Sequence, residues 1–230
     1  MGSRARWALL AALLIVLGTT IVVAGQPDAD PPTLSGTQRL GPEPGEPVAG
    51  YLDRAARSLP APGTGPVWAL VQLTGHVDAA TAARLVRGTG LARVVLRVPL
   101  PRVQTALITT ALPGQRPESE ISAAMRAAAD DRAAAALAAP DRSRAAAVAA
   151  AEARRLRAGC GCAVALLVRA DRAGLTELSG RDGVRAVHAA QPGTPPQGLA
   201  VAPLLPQQRD VAGPVPDDGP VPADGSTSEP

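Results

Sequence analysis

The sequence predicts an α+β domain in which two βαβ units form a ferredoxin-like sheet with an alanine-rich helical insertion, after one N-terminal transmembrane helix. Three observations carry this prediction. An uncharged apolar run lies near the N-terminus, two stretches of the chain align without a gap at a shift of 93 residues, and alanine concentrates between those two stretches.

The N-terminal segment has the pattern of a membrane anchor. Residues 7–24 carry no charge, and a helix of 18 residues would cover about 27 Å of a hydrocarbon core roughly 30 Å thick. Two arginines lie in residues 1–6, whereas Asp28 and Asp30 follow the run, which predicts a cytoplasmic N-terminus and an extracytoplasmic remainder. The alternative is a signal peptide cleaved after Ala24, although this run exceeds the usual h-region of roughly 7–15 residues. The anchor predicts a single-pass protein of the plasma membrane.

Composition divides the exported part into three. Residues 25–50 hold six prolines and a net charge of −3, which predicts a Pro/Gly-rich linker. Residues 191–230 hold ten prolines and mainly acidic charges, which predicts a disordered tail. Residues 51–190 hold 19 arginines against 11 acidic residues, a net charge of +8, whereas the whole chain carries only +3. The folded domain is therefore expected at 51–190.

The internal repeat predicts two strand–helix–strand units. The first runs from strand 67–73 to strand 91–98, and the second from strand 162–168 to strand 184–188. In each unit an aspartate can cap the helix, a leucine faces the sheet, a glycine can end the helix in a left-handed conformation, and a valine is buried. The matched pairs are Asp78 and Asp171, Leu85 and Leu178, Gly90 and Gly183, and Val94 and Val187.

The insertion between the units predicts one more strand and two helices. Residues 103–112 have the composition of a strand. The helical stretch from about 117 to 158 is interrupted by Pro140, so we expect helices at 117–138 and 140–158 packed as a hairpin or a bent rod. Their packing face is thin because large apolar residues are few: Ile121, Met125, Leu137, Val148 and Leu156.

The segment Gly-Cys160-Gly-Cys162 is the most specific chemical signal. Outside the membrane, thiols tend to be oxidised, which favours a structural or weakly redox-active disulfide between the two cysteines. Intermolecular pairing would instead give a covalent homodimer, and two thiolates at this spacing suit a soft ion such as Cu(I). Only His76 and His188 could complete a metal site, and neither has a spacing that demands it. No other metal site and no cofactor is predicted.

The arginine-rich core indicates an anionic partner, either lipid headgroups or acidic polymers of the cell wall. Arg154, Arg155 and Arg157 form the best local candidate for a basic patch, at the end of a predicted helix. The alternative is a solvated surface in a protein encoded by a high-GC genome. Nucleic acid is disfavoured by the extracytoplasmic topology and by the scarcity of aromatic residues. No GxSxG, HExxH or SxxK motif occurs, so we expect no catalytic residues and no enzyme.

Two resemblances accompany this interpretation. The segment GVRAVHAA at the end of the second unit is similar to the closing strand of subtilisin-type propeptide and inhibitor domains, which implies the ferredoxin-like fold. The order of segments, with VWALVQL, RVPLPRVQT, GCGC and GVRAV between a Pro-rich linker and a Pro-rich acidic tail, resembles uncharacterised single-pass membrane proteins of high-GC Gram-positive bacteria.

Two functional hypotheses follow. The first is a membrane-anchored extracytoplasmic interaction or scaffold protein that contacts an envelope protein or an anionic polymer, without catalysis. The second is a thiol-redox or soft-metal site at Cys160 and Cys162.

Overall fold

The computed structural model of this chain describes residues 38–222. The predicted cytoplasmic N-terminus and transmembrane helix, the first part of the predicted linker and the last eight residues lie outside the described residues. No helix between residues 38 and 222 is both long enough and apolar enough to cross a membrane.

The described chain alternates strands and helices. In order, the elements are β1 (Gln38–Leu40), α1 (Val48–Arg57), β2 (Val67–Val77), α2 (Ala79–Leu85), β3 (Gly90–Leu96), β4 (Ile108–Ala111), α3 (Pro117–Ala138), α4 (Arg144–Arg157), β5 (Ala163–Ala170), α5 (Arg172–Ser179), β6 (Val184–Ala189) and β7 (Leu199–Val201). Five strands form one sheet in the order β4-β3-β5-β2-β6, and every neighbouring pair in it is antiparallel. The short strands β1 and β7 pair in parallel with each other. The predicted α+β class is confirmed.

The repeat is present as two strand–helix–strand segments, β2-α2-β3 and β5-α5-β6. Asp78 accepts a hydrogen bond from the backbone N–H of Thr81, and Asp171 accepts one from Gly174, so both helix caps are confirmed. Gly183 has a left-handed φ of 90°. The prediction for Gly90 is wrong: it begins β3, and the left-handed residue of the first unit is Gly88, because α2 already ends at Leu85.

The insertion forms the predicted helical hairpin, α3 and α4. Its second helix begins later than predicted, because Ser143 accepts a hydrogen bond from the N–H of Ala146 and Pro140 lies in the preceding turn. Leu137 does not belong to the packing face, since 88% of it is exposed. The strand predicted at 103–112 is shorter, and only 108–111 pairs with β3.

The sheet is covered on both faces, by different parts of the chain. On the helical face, residues of β2, β3, β5 and β6 pack in one core with α2, α3, α4 and α5. On the opposite face, which we call the covered face, β1 and β7 pack on β2, β3 and β5, while α1 and residues 204–212 form a core with β6. Fully buried side chains such as Leu70 and Leu167 belong to this second core.

The covered face corrects the predicted boundaries. Residues 38–50 lie in the predicted linker and 191–222 in the predicted disordered tail, yet both segments pack on the sheet. The two segments also pair with each other through their backbones. The N–H of Ala202 donates to the carbonyl oxygen of Leu40, and the N–H of Ala212 donates to the carbonyl oxygen of Glu46. Proline-rich chain can be ordered in this way because it has few backbone N–H groups that require acceptors, and its apolar side chains cover an existing sheet.

A buried polar cluster attaches the two segments to the sheet. Gln72 of β2 donates to the hydroxyl of Tyr51 and accepts a 2.6 Å hydrogen bond from the N–H of Leu204. His188 of β6 accepts a 3.1 Å hydrogen bond at Nδ1 from the N–H of Gly41. Buried polar groups need such partners, so the cluster specifies where each segment lies.

Candidate functional site

One end of the sheet brings together several residues of chemical interest. The N–H of Arg97, directly after β3, donates to the carbonyl oxygen of Cys162 over 2.7 Å. A Cβ at Gly161 would lie 3.2 Å from the carbonyl oxygen of His76, near the end of β2. The loop that contains Cys160 and Cys162 therefore lies next to His76 and Arg97.

The two cysteines form a disulfide with each other, and their Cα atoms are 5.4 Å apart, within the usual range. The bridge follows α4, which ends in a Schellman motif: Gly159 is left-handed at φ 74°, and the N–H of Cys160 donates to Arg155. Cys162 is fully buried and Cys160 half-buried. Since neither thiol is free, this state leaves no sulfur for an intermolecular bridge or a metal ion. No group of three His, Cys, Asp or Glu residues within 38–222 could hold a metal.

The predicted basic patch is not a single surface. Arg154 donates to the carbonyl oxygen of Pro222, whereas Arg157 forms an ion pair with Asp130 of α3. Arg155 is half-buried and lines a cavity at the cysteine end of the sheet. The three guanidinium groups thus lie in three different surroundings. Arg155 lies on a different side of α4, whereas Arg154 and Arg157, three residues apart, share a face but have different partners.

Two charged residues near this end of α4 and β3 are buried, and one of them, Arg97, lines the cavity. Glu152 of α4 is completely buried and is fully engaged, since it pairs with Nε of Arg132 at 2.6 Å and accepts from the N–H of Ala106. Arg97 is 5% exposed, and its Nε donates to the hydroxyl of Thr105 at 3.1 Å. Burial lowers the pKa of Arg97, and the more distant Glu152 carboxylate opposes that shift.

The cavity has a volume of about 470 Å³ and is lined by six polar residues and several apolar ones. The polar residues are His76, Arg97, Arg102, Thr105, Arg155 and Gln207. Burial, assisted by the charge of Arg97, lowers the pKa of His76 to about 4, so its imidazole is neutral at pH 7. Nε2 of His76 is buried without a hydrogen-bond partner in the described structure. We call this space the Arg97 cavity.

Sequence reasoning missed Arg97 and Thr105, and it named His76 only as a residue that could complete a metal site. Both missed residues lie in the segment RVPLPRVQT, at its first and last positions. Its two prolines, Pro99 and Pro101, were the available signal, because they exclude a regular strand and bend the chain back towards Arg97.

A second basic surface lies between α2 and the start of α3. Four exposed arginines, Arg84, Arg87, Arg116 and Arg126, line an open groove of about 750 Å³. Glu118 is the one acidic side chain among the groove's lining residues, and none of the four arginines forms an ion pair with a described residue. We call this surface the arginine groove. The sequence does not reveal it, because its members come from segments up to 42 residues apart.

No family model, curated protein or solved structure matches the chain. Its function must be argued from this geometry.

Proposed function

We propose that the chain is a membrane-anchored, extracytoplasmic interaction protein of the cell envelope that binds an anionic polymer through the arginine groove, without catalysis. The observation that carries this proposal is the convergence of four exposed guanidinium groups on one groove. None of the four forms an ion pair with a described residue, and Glu118 is the one carboxylate in the groove's lining. The fold beneath it is a ferredoxin-like sheet built from duplicated βαβ units. Four of the five strands lie in the order β3-β5-β2-β6. This order supports that fold, because the first strands of the two units, β2 and β5, lie in the centre and their last strands, β3 and β6, lie outside them.

The groove suits a polymer better than a small ligand. It is open and shallow, and its charges lie along two elements, with Arg84 and Arg87 at the end of α2 and Arg116 and Arg126 on α3. Exposed arginines attract phosphate and carboxylate groups in bidentate geometry. A repeated anion can contact several of them at once, which raises affinity through effective concentration.

Export is supported by two features. The apolar segment 7–24 has the length and flanking charges of an anchor. The disulfide between Cys160 and Cys162 is typical of a protein in an oxidising compartment.

The decisive experiment measures binding of the full-length chain, purified in detergent, to a fluorescent poly(glycerol phosphate). The triple variant Arg87→Gln, Arg116→Gln and Arg126→Gln should bind about tenfold more weakly, since exposed charge pairs contribute about 0.5 kcal/mol each. Added salt should weaken wild-type binding through screening.

A charge-matched control distinguishes the groove from the general positive charge. Arg57→Gln, Arg142→Gln and Arg157→Gln remove three exposed arginines outside the groove. If this control loses as much affinity as the groove variant, or if neutral dextran binds as well as the polymer, the proposed role of the groove is wrong.

The alternative, a thiol-redox or soft-metal site, is disfavoured by the complete burial of Cys162. The double variant Cys160→Ser and Cys162→Ser tests it in the same assay. We expect polymer binding to persist in this variant, while stoichiometric Cu(I) uptake by the reduced wild-type protein would favour the alternative.

A further inference from the structure

We propose that the Arg97 cavity is a binding site for a small organic anion with an oxyanion headgroup, carboxylate or phosphate, and an apolar body. This site is separate from the arginine groove, and its test does not depend on polymer binding.

The first argument is the charge of Arg97. Arg97 as a whole residue is only 5% exposed, yet no described carboxylate lies within ion-pair distance of its guanidinium group. Burying a charge without a partner is costly, so buried guanidinium groups are ordinarily paired. Glu152 does not supply the pair, because it lies beyond ion-pair distance of Arg97 and its charge is balanced by Arg132. An anion in the cavity would complete the charge balance.

The second argument is the orientation of the guanidinium group. Nε of Arg97 donates to the hydroxyl of Thr105, which in turn donates to the carbonyl oxygen of Val98 at 2.7 Å. This chain of hydrogen bonds fixes the plane of the guanidinium group. The two terminal nitrogens have no hydrogen-bond acceptor among the described residues and remain available as a fork for two oxygens.

Besides Arg97 and Thr105, four polar side chains line the same space: His76, Arg102, Arg155 and Gln207. Arg102 is paired with Asp218. Arg155 brings a second positive charge from the end of α4. His76 brings an imidazole whose buried Nε2 has no partner in the described structure. Because burial and Arg97 hold the pKa of His76 at about 4, the imidazole is neutral and can donate from Nε2 to an oxyanion.

The remaining walls of the cavity are mainly apolar, and its volume is that of a small-molecule site. Val98, Leu100 and Val103 form one wall, and Val215 and Pro216 close the cavity from the C-terminal segment. A volume of about 470 Å³ lies within the range of small-molecule sites, which combine apolar walls with a few convergent polar groups. A purely inorganic anion would leave these walls unused, so the structure favours an anion with an apolar chain.

The test is isothermal titration of the full-length chain in lipid nanodiscs with octanoate, octyl phosphate, octanol and acetate, with empty nanodiscs subtracted. One octanoate or octyl phosphate should bind per chain, and the tighter of the two identifies the headgroup. Octanol lacks the charge and acetate lacks the apolar body, so each should bind at least about tenfold more weakly, a difference of about 1.4 kcal/mol. Octanol binding as tightly as both anions would overturn the proposal.

Matched variants locate the binding. Arg155→Gln should weaken the anion about tenfold, whereas Arg154→Gln, next to it and outside the cavity lining, should leave affinity unchanged. Arg97→Lys keeps the charge but removes the fork, so it should weaken binding while thermal unfolding shows that the protein remains folded. Equal effects of the Arg154 and Arg155 variants, or none, would overturn the proposal.

A spectroscopic readout comes from His76. The chain has only two histidines, so their ring signals in an NMR spectrum are readily assigned by substitution. Bound octyl phosphate, which remains anionic at pH 4, should raise the pKa of His76 above about 4, because it offsets the positive charge of Arg97. An unchanged His76 titration at saturating anion would contradict this placement.

Discussion

Both faces of the sheet carry fully buried side chains, but the segments that cover them have different kinds of sequence. The helical face packs against α2, α3, α4 and α5, whose alanine, leucine and valine residues follow a regular helical pattern. The covered face packs against β1, α1, β7 and the irregular chain around Leu204, which is rich in proline and glycine. A regular hydrophobic period along the chain is therefore sufficient to place an element in the core. Irregular chain without such a period can also cover the core.

Adjacent residues of β5 provide the sharpest test of this comparison. Leu166 is fully buried on the helical face and Leu167 is fully buried on the covered face. Each leucine-to-alanine substitution should lower the free energy of unfolding by about 3 kcal/mol, because both remove buried methyl groups and leave a cavity. Urea denaturation measures both values.

Leu137→Ala is the control, since 88% of that residue is exposed and its substitution should change stability by less than about 0.5 kcal/mol. A loss below about 1 kcal/mol for Leu167→Ala would mean that the terminal segments cover the sheet only loosely.

The titration of His188 tests the same cover by pH. Burial lowers the pKa of His188 to about 4, Arg54 contributes in the same direction, and Glu46 opposes it. In the unfolded chain the imidazole takes up a proton near pH 6.5, so between pH 6.5 and 4 the unfolded state binds more protons. Stability should consequently fall as the pH is lowered through this window, by at most about 1.4 kcal/mol per pH unit from this residue.

Denaturation curves at pH 7, 6 and 5 measure this slope, and His188→Gln should reduce it. NMR gives the pKa directly. A His188 pKa near 6.5 in the folded protein would indicate that water reaches the covered face, in contradiction to its burial.

The smallest expected effect is local and concerns the C-terminal segment. A Cβ at Gly219 would lie 2.4 Å from the carbonyl oxygen of Pro101, and the N–H of Gly219 donates to the carbonyl oxygen of Arg102. Gly219→Ala should therefore displace the end of the segment, while global stability changes by less than about 1 kcal/mol. Limited proteolysis should cut this segment faster in the variant.

Gly213→Ala is the matched control in the same segment, because a Cβ there meets no atom within 4 Å. Equal cleavage of the two alanine variants would show that the close approach at Gly219 does not hold the segment.

Much of the helical face was predictable from local signals. The Asp78 and Asp171 caps, the repeat of two strand–helix–strand segments and the helix interruption near Pro140 all depend on residues close in sequence. The disulfide of Cys160 and Cys162 could be anticipated for the same reason. The covered face could not, because composition alone makes residues 191–222 resemble a disordered tail.

The candidate sites were less predictable than the fold. Three arginines close in sequence, Arg154, Arg155 and Arg157, suggested one patch. Their side chains nevertheless lie in three different surroundings. The Arg97 cavity and the arginine groove each combine residues from separate elements, and only packing brings these residues together. Charge clustering along the chain is a poor guide to charge clustering in space.

The sequence by itself determined the elements whose causes are local: capped helices, an interrupted helical hairpin, buried strands and two cysteines separated by one glycine. The tertiary structure alone decided which segments cover the second face and which charges are left unpaired. The physical reason is that proline-rich chain has too little local preference to order itself, and becomes ordered only where a preformed apolar sheet and buried partners such as Gln72 and His188 receive it. The unpaired charge of Arg97 likewise exists only because packing places this residue beyond ion-pair distance of every described carboxylate.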